Sequence, residues 1–124
     1  MFLPAGAPPQ YKPRVATGQS VPLVTSSTVP FVNGRAETLI GPDRAGQSWH
    51  VTRMVTVAGN PDETILLYVY RSAENPSNMI DSSADGSQST SETDYTLLEG
   101  ERVLFVWTGG TGVATINITG EINY

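Results

Sequence analysis

Val103-Leu-Phe-Val-Trp-Thr108, Gly109-Gly-Thr-Gly112 and Val113-Ala-Thr-Ile-Asn-Ile-Thr119 decide the fold class of this chain. Val103, Phe105 and Trp107 alternate with Leu104, Val106 and Thr108. Beyond the glycine run, Ala114, Ile116 and Ile118 alternate with Thr115, Asn117 and Thr119. A period of two, carried by aromatic and β-branched residues, marks strands whose two faces differ in burial. The glycines between them allow the positive φ that a reversal needs, so the stretch reads as a hairpin of two long strands. From Tyr95 to Tyr124 it contains no helical period, no candidate nucleophile and no metal-ligand cluster.

Working outward from this pair, the same grammar repeats. Val21 to Val24 and Val29 to Val32 read as short strands, with Pro22 and Pro30 placing them at edges or strand starts. Asn33-Gly34 predicts a two-residue hairpin turn into a partner strand from Arg35 to Ile40. Gln47 to Ala58 predicts a long strand with Trp49, Val51, Val55 and Val57 on one face together with Arg53. His50, Thr52, Met54 and Thr56 take the other face. Thr64 to Arg71 is apolar on both faces, as a central strand is. Met79-Ile80 is a short edge, Asp81 to Asp94 a polar loop, and Tyr95 to Leu98 a return to the sheet. Seven or eight strands with a turn about every ten residues predict an all-β chain, a single β-sandwich over residues 19–124. Jelly-roll-like and immunoglobulin-like topologies are both open at this level.

The composition narrows the functional classes. At 124 residues the chain holds one core and has no room for a second. Cysteine is absent, which removes disulfides and thiol chemistry. Seven basic residues, with Lys12 the sole lysine, stand against twelve acidic ones, for a formal charge of -5. Such a surface is poorly suited to phosphate, so no nucleic-acid partner is expected. No apolar run reaches the ~20 residues that span a bilayer, so no membrane partner is expected either. The first residues lack a basic segment followed by a continuous apolar one, so no secretory signal is expected and synthesis is expected in a cytoplasm.

Residues 1–18 differ from the rest. Pro4, Pro8, Pro9 and Pro13 sit among alanine, glycine and glutamine, which excludes a helix or a central strand and favours extended polyproline geometry. Composition alone fits a solvated tail. The alternative is an extended arm that docks on a neighbouring subunit, with Phe2, Leu3 and Tyr11 as its anchors.

Several constellations could carry chemistry. Asp81, Ser83, Asp85, Gly86, Ser89 and Glu92 occupy positions one, three, five, six, nine and twelve of an EF-hand calcium loop. Gln88 stands where that loop has an aliphatic residue, and no amphipathic helix flanks it, so a solvated loop is the preferred reading. His50, the only histidine, lies mid-strand and reads as structural. Asp62 with Glu63, and Glu99 with Glu101, lie in turns and read as solvated caps. Trp49 and Trp107 face inward by alternation, and Tyr68 and Tyr70 read as core or sheet-interface residues. Asn117-Ile-Thr119 is a formal glycosylation acceptor placed inside a strand. The sequence therefore predicts no enzyme, no catalytic residue, no metal site and no cofactor.

The tract from Tyr95 to Gly120, with Leu98-Glu-Gly-Glu101, Trp107-Thr-Gly109 and the alternating strand that follows, resembles small β-sandwich virion proteins of tailed bacteriophages infecting actinobacteria. Trp49-His-Val-Thr-Arg-Met-Val55 and Tyr70-Arg71 look similar too, so the likeness covers roughly residues 47–120 and leaves out the arm. The resemblance implies a non-catalytic structural component of the virion, either a minor tail protein or a capsid decoration protein. It implies other virion structural proteins of capsid or tail as partners. The location it implies is the virion, after synthesis in the host cytoplasm. Independently of the resemblance, the extended arm and the sheet surfaces lead to the expectation of a homo-oligomer assembled through them. A carbohydrate- or receptor-binding β-sandwich module is the alternative.

Overall fold

The computed structural model describes residues 20–124, so the arm anchors Phe2, Leu3 and Tyr11 lie outside the described residues. The strands are β1 (Ser20–Pro30), β2 (Arg35–Ile40), β3 (Ser48–Ala58), β4 (Leu66–Arg71), β5 (Met79–Ser83), β6 (Gln88–Leu97), β7 (Val103–Thr108) and β8 (Val113–Asn123). One 3-10 turn, Pro76–Asn78, is the only helical element among the described residues. The strands form two four-stranded antiparallel sheets, ordered β1-β8-β3-β6 and β2-β7-β4-β5. The all-β class follows the alternation in the sequence.

Pairing is nested. The first strand pairs with the last, β2 with β7, β3 with β6 and β4 with β5, and successive pairs fall in alternate sheets. Four loops, at residues 31–34, 59–65, 84–87 and 109–112, therefore gather at one end of the molecule. Those at 41–47, 72–78 and 98–102 gather at the other.

This order corrects the two predicted hairpins. β7 and β8 are the strands the sequence predicts, but Gly109–Gly112 carries the chain from one sheet to the other. Both strands own a fully apolar inward face: Val103, Phe105 and Trp107 on β7, and Ala114, Ile116 and Ile118 on β8. Placed in opposite sheets, the two inward faces meet across one core. Gly110 lies against the Phe31 ring so closely that a Cβ would clash, which ties the crossover to the core. Asn33 and Gly34 do adopt positive φ, 53° and 77°, and close a bridge between Val32 and Arg35. The strands either side of that turn nevertheless join different sheets. β1 is a single strand of 11 residues in place of two short ones, and its prolines are accommodated because it is an edge.

The predicted faces of β3 also require correction. Trp49 and Val51 point inward as expected, but a bulge between Val51 and Arg53 inverts the alternation. Met54, Thr56 and Ala58 are buried beyond it, whereas Arg53 and Val57 are exposed. The bulge resolves a conflict written into the sequence. Strict period two would drive the Arg53 guanidinium into the core beside Val51, and one extra residue turns it out to meet Glu92 of β6 at 3.3 Å.

The polar segment from Asp81 to Asp94 is mostly strand and not loop. β5 extends to Ser83, β6 starts at Gln88, and only residues 84–87 connect them. Every second β6 residue from Ser89 to Tyr95 is partly buried while its neighbours are exposed, so the alternation is present in serine, threonine and tyrosine instead of in aliphatic residues.

Candidate assembly surface

The outward face of the β2-β7-β4-β5 sheet is where the fold departs most from a simple two-layer arrangement. Alternation puts Tyr68 and Tyr70 of β4, and Leu104 and Val106 of β7, on the side away from the main core. They form a second apolar cluster, with the two tyrosine rings 6.5 Å apart. Val106 is 1% exposed and Tyr70 7%, although no strand layer among the described residues covers them.

One ion pair lies on this side of the sheet. Arg35 sits opposite Thr108 at one end of the sheet, while Glu74 follows Arg71, which sits opposite Val103 at the other end. The Arg35 Nη2 nonetheless donates to Glu74 Oε1 at 2.6 Å, and its Nε donates to Glu37 Oε2 at 3.1 Å. Glu74, three residues beyond the end of β4, therefore reaches back to the side chain of Arg35. Ser72 has a φ of 73°, and Asn75 caps the 3-10 turn by accepting from the Ser77 backbone N–H. Glu74 first, and then Glu37, hold the Arg35 pKa above its ordinary value. Leu39, Leu66 and Met79 of this sheet remain exposed.

Beside this ion pair, on the side of the molecule formed by the edge strands β1 and β2, lies an open groove of about 420 Å³. Val29, Pro30, Val32 and Ala36 give it an apolar floor, with Arg35 and Glu37 on its wall. A hydrogen bond of 3.0 Å between the Ser27 and Thr38 hydroxyls joins the two sheets along this same side.

The opposite side, between β5 and β6, is closed differently. Asp81 and Ser83 of β5 and Ser89 and Ser91 of β6 border a narrow gap above Met54, Leu67 and Phe105. Polar groups pointing inward at the rim oppose edge-to-edge pairing. The structure separates the residues of the calcium-loop pattern. Asp81 faces this gap from one sheet, whereas Glu92 faces outward on the other sheet and is paired with Arg53. Asp85 accepts from the Ser87 hydroxyl. Among the described residues no group of three or more acidic or histidine side chains is placed to hold a metal ion.

His50 lies on the outer surface of the β1-β8-β3-β6 sheet, where its Nε2 meets Asp94 of the neighbouring strand. Neither carboxylate pair is merely solvated. The Glu63 carboxylate accepts from the Asn60 and Thr111 backbone N–H groups and from the Thr111 hydroxyl, tying two loops together at one end. Those bonds, led by the Thr111 hydroxyl, lower the Glu63 pKa. At the other end Glu101 accepts from the Leu98 N–H and from Arg71, and Glu99 accepts from the Gly46 N–H. Arg71 also lies 5.9 Å from the centroid of the Tyr95 ring. Burial, opposed by Arg71, pushes the Tyr95 phenol up to about 12.

Trp49 and Trp107 are buried, as alternation predicts. Tyr68 and Tyr70 are not in the main core but in the second cluster outside it. The groove and the Arg35–Glu74 pair were missed at the level of sequence. A signal for the second cluster was present, since β7 is apolar at every position from Val103 to Trp107 and so needs burial on both faces. No helix among the described residues is long and apolar enough to cross a membrane. Compared with family models, curated proteins and solved structures, the chain matches none of them.

Proposed function

We propose that the chain is a non-catalytic structural component of a tailed-bacteriophage virion, a minor tail or capsid decoration protein, built on a jelly roll and assembled through its N-terminal segment and sheet surfaces. The observation that carries this reading is the nested pairing of β1 with β8, β2 with β7, β3 with β6 and β4 with β5, alternating between sheets. That order is a jelly roll, an architecture used by viral capsid and lectin domains. Fold alone does not fix function, and the surface adds the second support. Among the described residues the outer strands leave sheet edges unpaired, an apolar groove lies between two of them, and Val32, Leu39, Leu66 and Met79 are exposed. Such surfaces suit repeated weak contacts on a lattice, where effective concentration multiplies each contact.

The lectin-like alternative needs a flat aromatic face open to a sugar ring. Tyr68 and Tyr70 do face outward, but Tyr70 is buried in the second cluster, which favours assembly over sugar stacking. Mass spectrometry of density-purified particles from a lysate that expresses the chain tests the reading. The expected result is a stoichiometric number of copies per particle. Absence of the chain from particles that are otherwise complete would contradict it.

A further inference from the structure

The groove between β1 and β2 has a definable occupant. We propose that it takes residues 1–19 of a second copy of this chain, with Tyr11 and its neighbouring prolines against Val29, Pro30 and Val32, and with Lys12 and Arg14 beside Glu37 and Glu74. This rests on the assembly reading and names its contact.

Charge is the first argument. Residues 1–19 hold Lys12 and Arg14 and no carboxylate, leaving five arginines against all twelve carboxylates in residues 20–124, a formal charge of -7. At the groove itself Arg35 is shared between Glu37 and Glu74, so this trio keeps one net negative charge. A cationic segment is drawn to it.

The second argument is shape and chemistry. Val32 is 64% exposed at the groove and Pro30 is also exposed, giving an apolar floor that a proline-rich segment can cover. Four prolines in residues 1–19 lack N–H donors, so the segment binds through side-chain contact more readily than by adding a strand. Their preference for extended geometry lowers the ordering cost of docking.

Direction selects the second copy. Ser20 pairs with Asn123 and Pro30 with Val113, so β1 begins at the end far from the groove. Along β1 that separation is about 33 Å, and the strand enters from its distal end. To reach its own groove the preceding segment would have to reverse and run back beside β1. A neighbouring groove is reached without reversal by 19 residues that span up to about 60 Å.

The test uses the full chain, with mass followed by light scattering across a concentration series. Val32→Asp places a carboxylate on the apolar floor at an exposed site and should weaken association by at least about tenfold without lowering the melting temperature. Val57→Asp is the control, since Val57 is 51% exposed on the outer face of the other sheet, and it should leave association unchanged. Lys12→Glu with Arg14→Glu should also weaken association. Benzoylphenylalanine at position 11 should cross-link to residues 29–37 of another chain in a mixture of isotopically light and heavy protein. Association that survives Val32→Asp but is lost on charge reversal of Lys12 and Arg14 would overturn the groove and leave the arm reading standing. Association indifferent to both changes, or a parent that stays monomeric throughout, would overturn that reading as well. Cross-links confined to single chains would overturn the second copy as occupant.

Discussion

Arg35, opposite Thr108 at one end of its sheet, meets Glu74, three residues beyond the far end of β4, through a 2.6 Å hydrogen-bonded ion pair. The pair is surface-exposed, so its own contribution is small, about 0–1 kcal/mol and weakened by salt. Its larger role is positional. Glu74→Ala should lower stability by no more than about 1 kcal/mol and raise the binding of an apolar dye at low salt, as the loop after β4 loosens. Dye fluorescence and a denaturant melt check both parts.

Trp107 is fully buried and stacks on Phe105, with ring centroids 6.0 Å apart. Replacing it by alanine should cost about 3–5 kcal/mol, the usual cost of a large aromatic deletion in a core. A variant that unfolds at the same denaturant concentration as the parent would remove Trp107 from the core's foundation.

Acid sensitivity should be traceable to Glu63. Its pKa is lowered in the folded state from an ordinary 4.5 by bonds from Thr111 and Asn60. A carboxyl whose folded pKa is depressed stabilises the protein above its unfolded value, and that stabilisation is lost as pH falls through the folded value. Glu63→Gln should therefore melt below the parent at pH 7, and the difference should shrink as pH falls below about 4.5. Melting temperatures from pH 7 down to pH 3 test the sign.

At the alkaline end Tyr95 titrates near 12 because burial disfavours its phenolate. Its neutral form is favoured by folding, so its stabilisation is complete below pH 10 and is lost as pH rises through the folded value near 12. Tyr95→Phe should remove one late-titrating phenol from an ultraviolet absorbance titration and flatten stability above pH 10.

Calcium provides a contrast. Asp81 and Glu92 belong to different sheets and face different directions, so the calcium-loop spacing has no common centre. Millimolar calcium added after chelation should leave the melting temperature unchanged, since an ion that does not bind the folded state cannot stabilise it.

Much of the strand content was legible in the sequence because burial alternates along it. Phe105, Trp107, Ile116 and Ile118 announce their faces, and Asn33-Gly34 announces its turn. What alternation cannot express is which sheet the next strand joins. A turn at Gly109–Gly112 fits either a hairpin or a crossover, and the choice is made by contacts far apart in the chain, such as Phe31 against Gly110. The β3 bulge was hidden for a related reason, since period two assumes no extra residue, and Arg53 on an apolar face was the only local sign of one. β6 was misread because its inward positions are serine and threonine, which a hydrophobic pattern does not register. The surface at Arg35, Glu74 and Val32 depends on loop return and sheet edges, and neither has a period.

Removing residues 1–18 and asking whether the remaining protein still enters the particle tests the central claim most directly. Residues 1–18 carry four prolines and no period-two pattern, so the truncated protein should melt like the parent. It should fail to co-sediment with particles and should lose self-association by light scattering. A truncated protein that folds and is incorporated as efficiently as the full chain would contradict the account.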